Sequence, residues 1–325
     1  MSRSRTIILS MKKTTNWLGK IPGEALLLLA AIIWGTGFVA QRQAMETMQP
    51  FAFIALRFLL GCLVLLPWII LKTKRLKTSK WKTNLKRDLL SGVVPGIFLL
   101  AGTAMQQLGI MTTSAAKAGF LTSLYLVLVP LIGLLFGKKI NIWVWIGVAL
   151  ALLGVFYLSV DMEMSIQGGD IYMIIGALFW AVQILALDHF SSGTDSLNLA
   201  FGQFLITALL SLVFSLVVEG NSLFTDSIAW GPILYSGIIV VGIGFTLQVF
   251  GQSKVNPTLA SLIMSLEAVF ALLSGMLVLG ERLTVREWLG GLLMMAAVIL
   301  VQIKGQQQKP VPEEINILES IEPEY

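Results

Sequence analysis

The chain has 325 residues, of which 56% are hydrophobic and 13% charged, with a mean hydropathy of +0.83. Soluble domains run near 25% charged, so this balance excludes an ordinary cytosolic enzyme, a disordered chain and a secreted disulfide scaffold. A single cysteine, Cys62, and a single histidine, His189, exclude an internal disulfide, a thiolate metal cluster and bis-histidine haem.

Residues 1–23 form a basic N-terminus with Arg3, Arg5, Lys12, Lys13 and Lys20. A helix crossing about 30 Å of hydrocarbon needs about 20 mostly apolar residues. Ten stretches meet that need: about 24–44, 51–71, 89–110, 118–136, 142–160, 170–188, 197–218, 229–251, 258–280 and 285–303. They lack the alternation of barrel strands, and unpaired backbone groups are intolerable in lipid, so each predicts a membrane-spanning helix. The first is too long for a signal peptide and lacks a small-residue cleavage site, so it is read as an anchor. Residues 304–325, with five glutamates and three prolines, predict a disordered, solvated tail.

The net charge of +5 is uneven: residues 1–88 carry fifteen Lys/Arg against three acids, and residues 89–325 carry eight against fifteen. The cations flank apolar segments, so their expected partner is the anionic membrane surface of the lipid bilayer and not nucleic acid. The segment 72–88 alone holds eight of them. With ten helices and an inside N-terminus, 18 of the 23 Lys/Arg fall on the cytoplasmic side, so both termini are predicted to be cytoplasmic.

The chain also repeats itself. AIIWGTGFVAQ (31–41) aligns with ALFWAVQILAL (177–187), pairing Trp34 with Trp180, and LRFLLGCLVLL (56–66) falls on GQFLITALLSL (202–212) at the same offset of 146. SGVV (91–94) matches SGII (236–239), and FGKKINIWVWIGV (136–148) matches LGERLTVREWLGG (279–291). Two units follow, 24–160 and 170–303, each with five helices. An odd number makes the copies enter the membrane in opposite directions, as in many transporters. The predicted fold is therefore all-α, integral to the membrane, with ten transmembrane helices as two inverted five-helix repeats.

Two charges lie deep in predicted spans, Arg57 and Glu267. Each costs at least about 2.5 kcal/mol at the membrane centre, so both are expected to face protein or a water-filled cavity. Glu267 reads either as a proton-titrating or ammonium-binding site or as a structural group; Arg57 reads as a carboxylate partner or, preferentially, as a structural charge. Trp34 and Trp180 sit about ten residues into their helices, unlike the other seven tryptophans, which lie near span ends. Gln41 lies seven residues after Trp34, and Gln183 three after Trp180, so each tryptophan begins a polar stripe suited to a cavity or to helix packing. Gln106 with Thr103 and Gln107, and Gln248 with Thr246 and Gln252, suit either polar-solute binding or interhelical hydrogen bonding.

No P-loop, strand-borne dinucleotide loop, nucleophile elbow, HExxH pair or catalytic aspartate pair occurs, so no enzyme, metal or cofactor is expected. Without a nucleotide-binding module the chain does not power primary transport alone.

The strings WGTGFVAQ…PFAFIALRF (34–58), TTSAAKAGFLTSLYLVLVPL (112–131) and PTLASLIMSLEAVFALLSGMLVLGERLT (257–284) resemble the EamA type of drug/metabolite transporter. The resemblance covers about 24–303 as two tandem units. It implies a ten-helix carrier in the plasma membrane that exports amino acids or other small polar or amphipathic metabolites, and it places a solute cavity on helices that here carry Trp34, Gln106, Tyr125, Trp180, Gln183, Gln248 and Glu267. Arg57 matches an arginine common in the second helix. Ala268 departs from the pattern, which often has a proline after the glutamate, and puts the bending of helix nine in question. The expected function is secondary transport of a small-molecule solute by alternating access in a bacterial cell membrane, with protons as the candidate coupling ion. The rivals are an uncoupled facilitator and a membrane receptor or assembly factor that moves nothing.

Overall fold

The computed structural model describes residues 20–75, 81–112, 115–137, 140–159, 168–220, 227–279 and 284–304. Most of the basic N-terminus, part of the cationic segment 72–88, the segment 161–167 and the polar tail from 305 lie outside the described residues. The described elements are helical throughout: α1 (Gly23–Ala44), α2 (Pro50–Arg75), α3 (Trp81–Ser91), α4 (Val93–Ile110), α5 (Ala115–Ser123), α6 (Tyr125–Leu135), α7 (Ile142–Ser159), α8 (Gly168–Ser191) and α9 (Ser196–Val218). Then come α10 (Trp230–Leu234), a π-helical stretch (Tyr235–Phe245), α11 (Thr246–Gln252), α12 (Pro257–Met264), α13 (Glu267–Leu279) and α14 (Val285–Lys304).

Seven helical runs are long and apolar enough to cross a membrane: Gly23–Ala44, Pro50–Lys72, Leu85–Ile110, Gly168–Ser191, Ser196–Val218, Trp230–Gln252 and Pro257–Ser274. Leu121–Leu135, Ile142–Tyr157 and Trp288–Lys304 are apolar but shorter. Polarity is distributed inside out. Leu63, Leu153, Leu209 and Leu292 are exposed, whereas Arg57, Gln107, Gln183, Gln203, Gln248 and Glu267 are buried. A surface of that kind is stable against lipid, where burying leucine gains nothing and a polar group must find partners inside the protein.

Local chemistry sets the ends of these rods. Asp195 caps α9 by accepting the Asn198 amide at 3.2 Å, and Asn256 caps α12 by accepting that of Leu259 at 2.9 Å, with Pro257 in the first turn. Pro95 falls in the first turn of α4, and the helical run breaks at Gly92 between α3 and α4, beside Ser91, whose carbonyl the missing Pro95 amide would otherwise meet. Pro130 lies inside α6.

The segments aligned by the internal repeat pack on one another. Helices α2 and α9 run antiparallel: Lys72 near the end of α2 pairs with Asp195 at the start of α9, and at the opposite end Glu219 accepts the Phe51 and Ala52 amides at 2.7 and 2.9 Å. That carboxylate takes two of the orphan donors at the N-terminus of α2, where the helix dipole also favours negative charge.

Helices α7 and α14 are in backbone contact. A Cβ on Gly154 would come within 2.7 Å of the Gly290 carbonyl and 2.6 Å of Met294 Cγ. Gly154→Ala is therefore expected to lower the thermal unfolding midpoint in detergent, by an overpacking cost of about 1–3 kcal/mol. Gly168→Ala, which meets open space, should leave the midpoint unchanged.

Candidate functional site

Near the middle of α1, Trp34 faces inward with Phe38, one turn on, and Gln41, two turns on. These three line a cavity with Arg57 of α2, Thr103 and Gln106 of α4, Trp180 of α8, Val240 and Phe245 of the π-helical stretch, and Glu267. The volume is about 30 Å³, room for about two water molecules. A solute the size of an amino acid therefore requires the walls to part.

Two buried, oppositely charged side chains share this space, each with its own partner. Arg57 Nη1 donates to Gln41 Oε1 at 3.1 Å, and its guanidinium lies 5.0 and 5.4 Å from the ring centroids of Phe53 and Phe58. A hydrogen bond and two aromatic faces offset part of the cost of burying the cation. On the other side, the Tyr125 hydroxyl, at the start of α6, donates to Glu267 Oε1 at 3.2 Å.

Glu267 is placed by a break in the ninth segment. Between α12 and α13 the Leu266 and Ala268 amides reach back only three residues, to Ile263 and Ser265, at 3.2 Å each. No proline causes this. The hydroxyls of Ser261 and Ser265 bond the Thr258 and Leu262 carbonyls at 2.8 Å, which loosens a helix and bends it. Ala268 thus leaves the bend intact, and Glu267 becomes the first residue of α13, where the helix N-terminus favours its negative charge. Helix α1 closes against this point. A Cβ on Gly35 would come within 2.7 Å of the Glu267 carbonyl oxygen, so the absence of a side chain is what permits the approach.

An aromatic cluster closes one side of the cavity. The Phe245 ring lies 4.7 Å from Trp34, 5.9 Å from Phe58 and from Trp180, and 6.3 Å from Phe204, and it stacks on Trp180 at 12°. Val240 and Phe245 are five residues apart, the spacing of a π-helical hydrogen bond, so the unusual winding brings both to the same wall.

Of the residues read from the sequence, Trp34, Gln41, Arg57, Gln106, Trp180 and Glu267 meet around this one cavity, and Tyr125 stands behind Glu267. Gln183 and Gln248 are fully buried elsewhere: Gln248 Nε2 donates to Gln183 Oε1 at 3.2 Å, and Gln183 Nε2 to Gln203 Oε1 at 3.3 Å. The sequence reading missed Phe38, Val240 and Phe245. Phe38 has a signal, its four-residue spacing from Trp34; the other two lie in an unbroken apolar run.

Apolar rods around an interior that buries amides, Arg57 and Glu267 define a multi-pass membrane protein with a small polar cavity. The sequence profile of the EamA-like transporter family matches residues 21–160 and again 167–303, and the chain belongs to that family, as two tandem units. It is similar to an uncharacterized transporter of Archaeoglobus fulgidus, 33% identical over 279 residues, which span 86% of this chain and 85% of that protein. It is also similar to the uncharacterized inner membrane transporter YedA of Escherichia coli, 26% identical over 87% of this chain and 91% of the other. A solved crystal structure, 18% identical, superposes with a TM-score of 0.69 over 86% of this chain and 96% of that one, which shows a shared fold. The protein is thus a membrane transporter of the EamA family.

Proposed function

We propose that this transporter is a secondary carrier that exports amino acids or similar small polar metabolites by alternating access. Its ten spans would form two inverted five-helix units, 24–160 and 170–303, with both termini in the cytoplasm. One observation carries the reading: a single cavity, walled by the repeat-related Trp34 and Trp180, holds a guanidinium and a carboxylate on different elements. Opposite charges set apart in one water-sized space suit a zwitterion, whose carboxylate meets Arg57 and whose ammonium meets Glu267, with Gln41 and Gln106 supplying hydrogen bonds. The antiparallel packing of the repeat-related α2 and α9 supports inversion of the units, and rocking of one unit on the other would expose the cavity to each side in turn.

Binding tests this first. Saturation with a ligand at a hundred times its Kd stabilises the folded state by about 2.7 kcal/mol. In a panel of amino acids, amines and carboxylates, zwitterions are expected to raise the unfolding midpoint of the purified protein. The rise should vanish in Arg57→Gln and persist, though smaller, in Glu267→Gln, whose amide oxygen still accepts a hydrogen bond from the ammonium. A rise with amines alone, surviving Arg57→Gln, would remove the zwitterion from the account.

The orientation has its own test. In protein carrying Cys62→Ser, a membrane-impermeant thiol reagent added to intact cells is expected to label Ser165→Cys and spare Ser79→Cys. The reverse pattern would place both termini outside.

A further inference from the structure

Behind the aromatic cluster the three amides form a short hydrogen-bonded chain, Gln248 to Gln183 to Gln203, with both ends open. Gln203 Nε2 and Gln248 Oε1 are buried without a partner, as is the Trp180 indole nitrogen. Each buried orphan costs about 1–3 kcal/mol, so this is an expensive way to pack helices. A donor left open at one end and an acceptor at the other leave room in the chemistry for one more polar group.

The internal repeat gives the cluster its meaning. At the offset of 146, Arg57 falls on Gln203, Phe58 on Phe204 and Trp34 on Trp180; at the offset of 145 that aligns SGVV with SGII, Thr103 falls on Gln248. Two residues that line the cavity, Arg57 and Thr103, therefore have their counterparts in the amide chain. The aromatic cluster between them contains both Trp34 with Trp180 and Phe58 with Phe204, and the last two touch at 5.9 Å. Gln41 and Arg57 lie from that cluster toward the 45–49 turn, since Gln41 is near the end of α1 and Arg57 near the start of α2. Gln183 and Gln248 follow Trp180 and Phe245 by three residues, and Gln203 lies near the start of α9, so all three lie toward the opposite end, with the 191–195 turn.

We infer that the chain Gln183–Gln203–Gln248 is the closed second half of the solute path, a polar station that receives hydrogen-bonding, uncharged parts of the solute once the Trp–Phe cluster parts. This rests on the alternating-access reading and adds the residues that line the other face. Because the station holds no charge, the carboxylate and ammonium of a zwitterion would be recognised only on the Arg57–Glu267 side, and the amides would carry the remainder of the molecule onward.

The test uses single cysteines in the full chain carrying Cys62→Ser, with the impermeant reagent 2-sulfonatoethyl methanethiosulfonate applied to intact cells or to inside-out vesicles. Gln41→Cys and Gln203→Cys are expected to react from opposite sides of the membrane. Minor conformers are populated at about 0.1–10%, so position 203 should react about ten to a thousand times more slowly than position 41. Gln183→Cys and Gln248→Cys, checked for monodisperse elution, repeat the measurement where Gln203→Cys does not fold. Reaction at 203 from the same side as 41 overturns the inference, because the amides would then be the floor of one cavity. So does silence at 183, 203 and 248 from both sides while 41 reacts, which leaves the cavity reading standing. Silence at 41 from both sides overturns the cavity reading itself, and the second station with it.

Discussion

Glu267→Gln is expected to fold and to bind solute, yet to lose accumulation driven by a pH gradient while keeping downhill exchange. The substitution preserves the shape of the side chain and the oxygen that accepts the Tyr125 hydroxyl at 3.2 Å, so packing at the start of α13 survives. What disappears is the titratable group in the wall of the cavity. One proton moving down one pH unit supplies about 1.4 kcal/mol, enough for a tenfold solute gradient. The parent is expected to reach that gradient in liposomes and the variant to stop at equal concentrations. Accumulation by the variant equal to the parent at every gradient would reduce Glu267 to a structural charge held by Tyr125.

The second large effect belongs to the paired tryptophans. Trp34 and Trp180 are 8% exposed, line the cavity and both contact the Phe245 ring, whereas Trp143 is 39% exposed at a helix start. Removing a buried tryptophan costs about 3–5 kcal/mol of stability, so transport must be counted per folded molecule. On that basis Trp34→Ala and Trp180→Ala are expected to slow transport about tenfold or more, equivalent to about 1.4 kcal/mol or more of lost interaction. Trp143→Ala should be near the parent rate. Equal losses at all three positions would mean general packing and no pathway.

Much of this architecture could be read from the sequence because the bilayer imposes a simple rule. Runs of about 20 apolar residues become helices, and the predicted stretch 197–218 appears as Ser196–Val218, and 24–44 as Gly23–Ala44. Residues that violate the rule, Arg57 and Glu267, had to be inside, and both line the cavity. Where everything is apolar the pattern falls silent. The π-helical winding of Tyr235–Phe245 changes which carbonyl each amide meets without changing hydropathy, so Val240 and Phe245 gave no sign of their place. The bend before Glu267 was hidden because serine hydroxyls do there what a proline would have advertised. The destination of Gln183 and Gln248 was hidden for a different reason: their polarity is local, but their partners lie on other helices and only the packed fold brings them together.

The central claim is that the Arg57–Glu267 cavity moves a zwitterionic solute across the membrane, and counterflow measures this directly. Purified protein in liposomes preloaded with an unlabelled amino acid is offered trace radiolabelled amino acid outside. The account predicts transient uptake of label above the level in empty liposomes, abolished by Arg57→Gln, and retained as downhill exchange in Glu267→Gln. Folded protein that exchanges no amino acid, or that exchanges one equally well in Arg57→Gln, would contradict it.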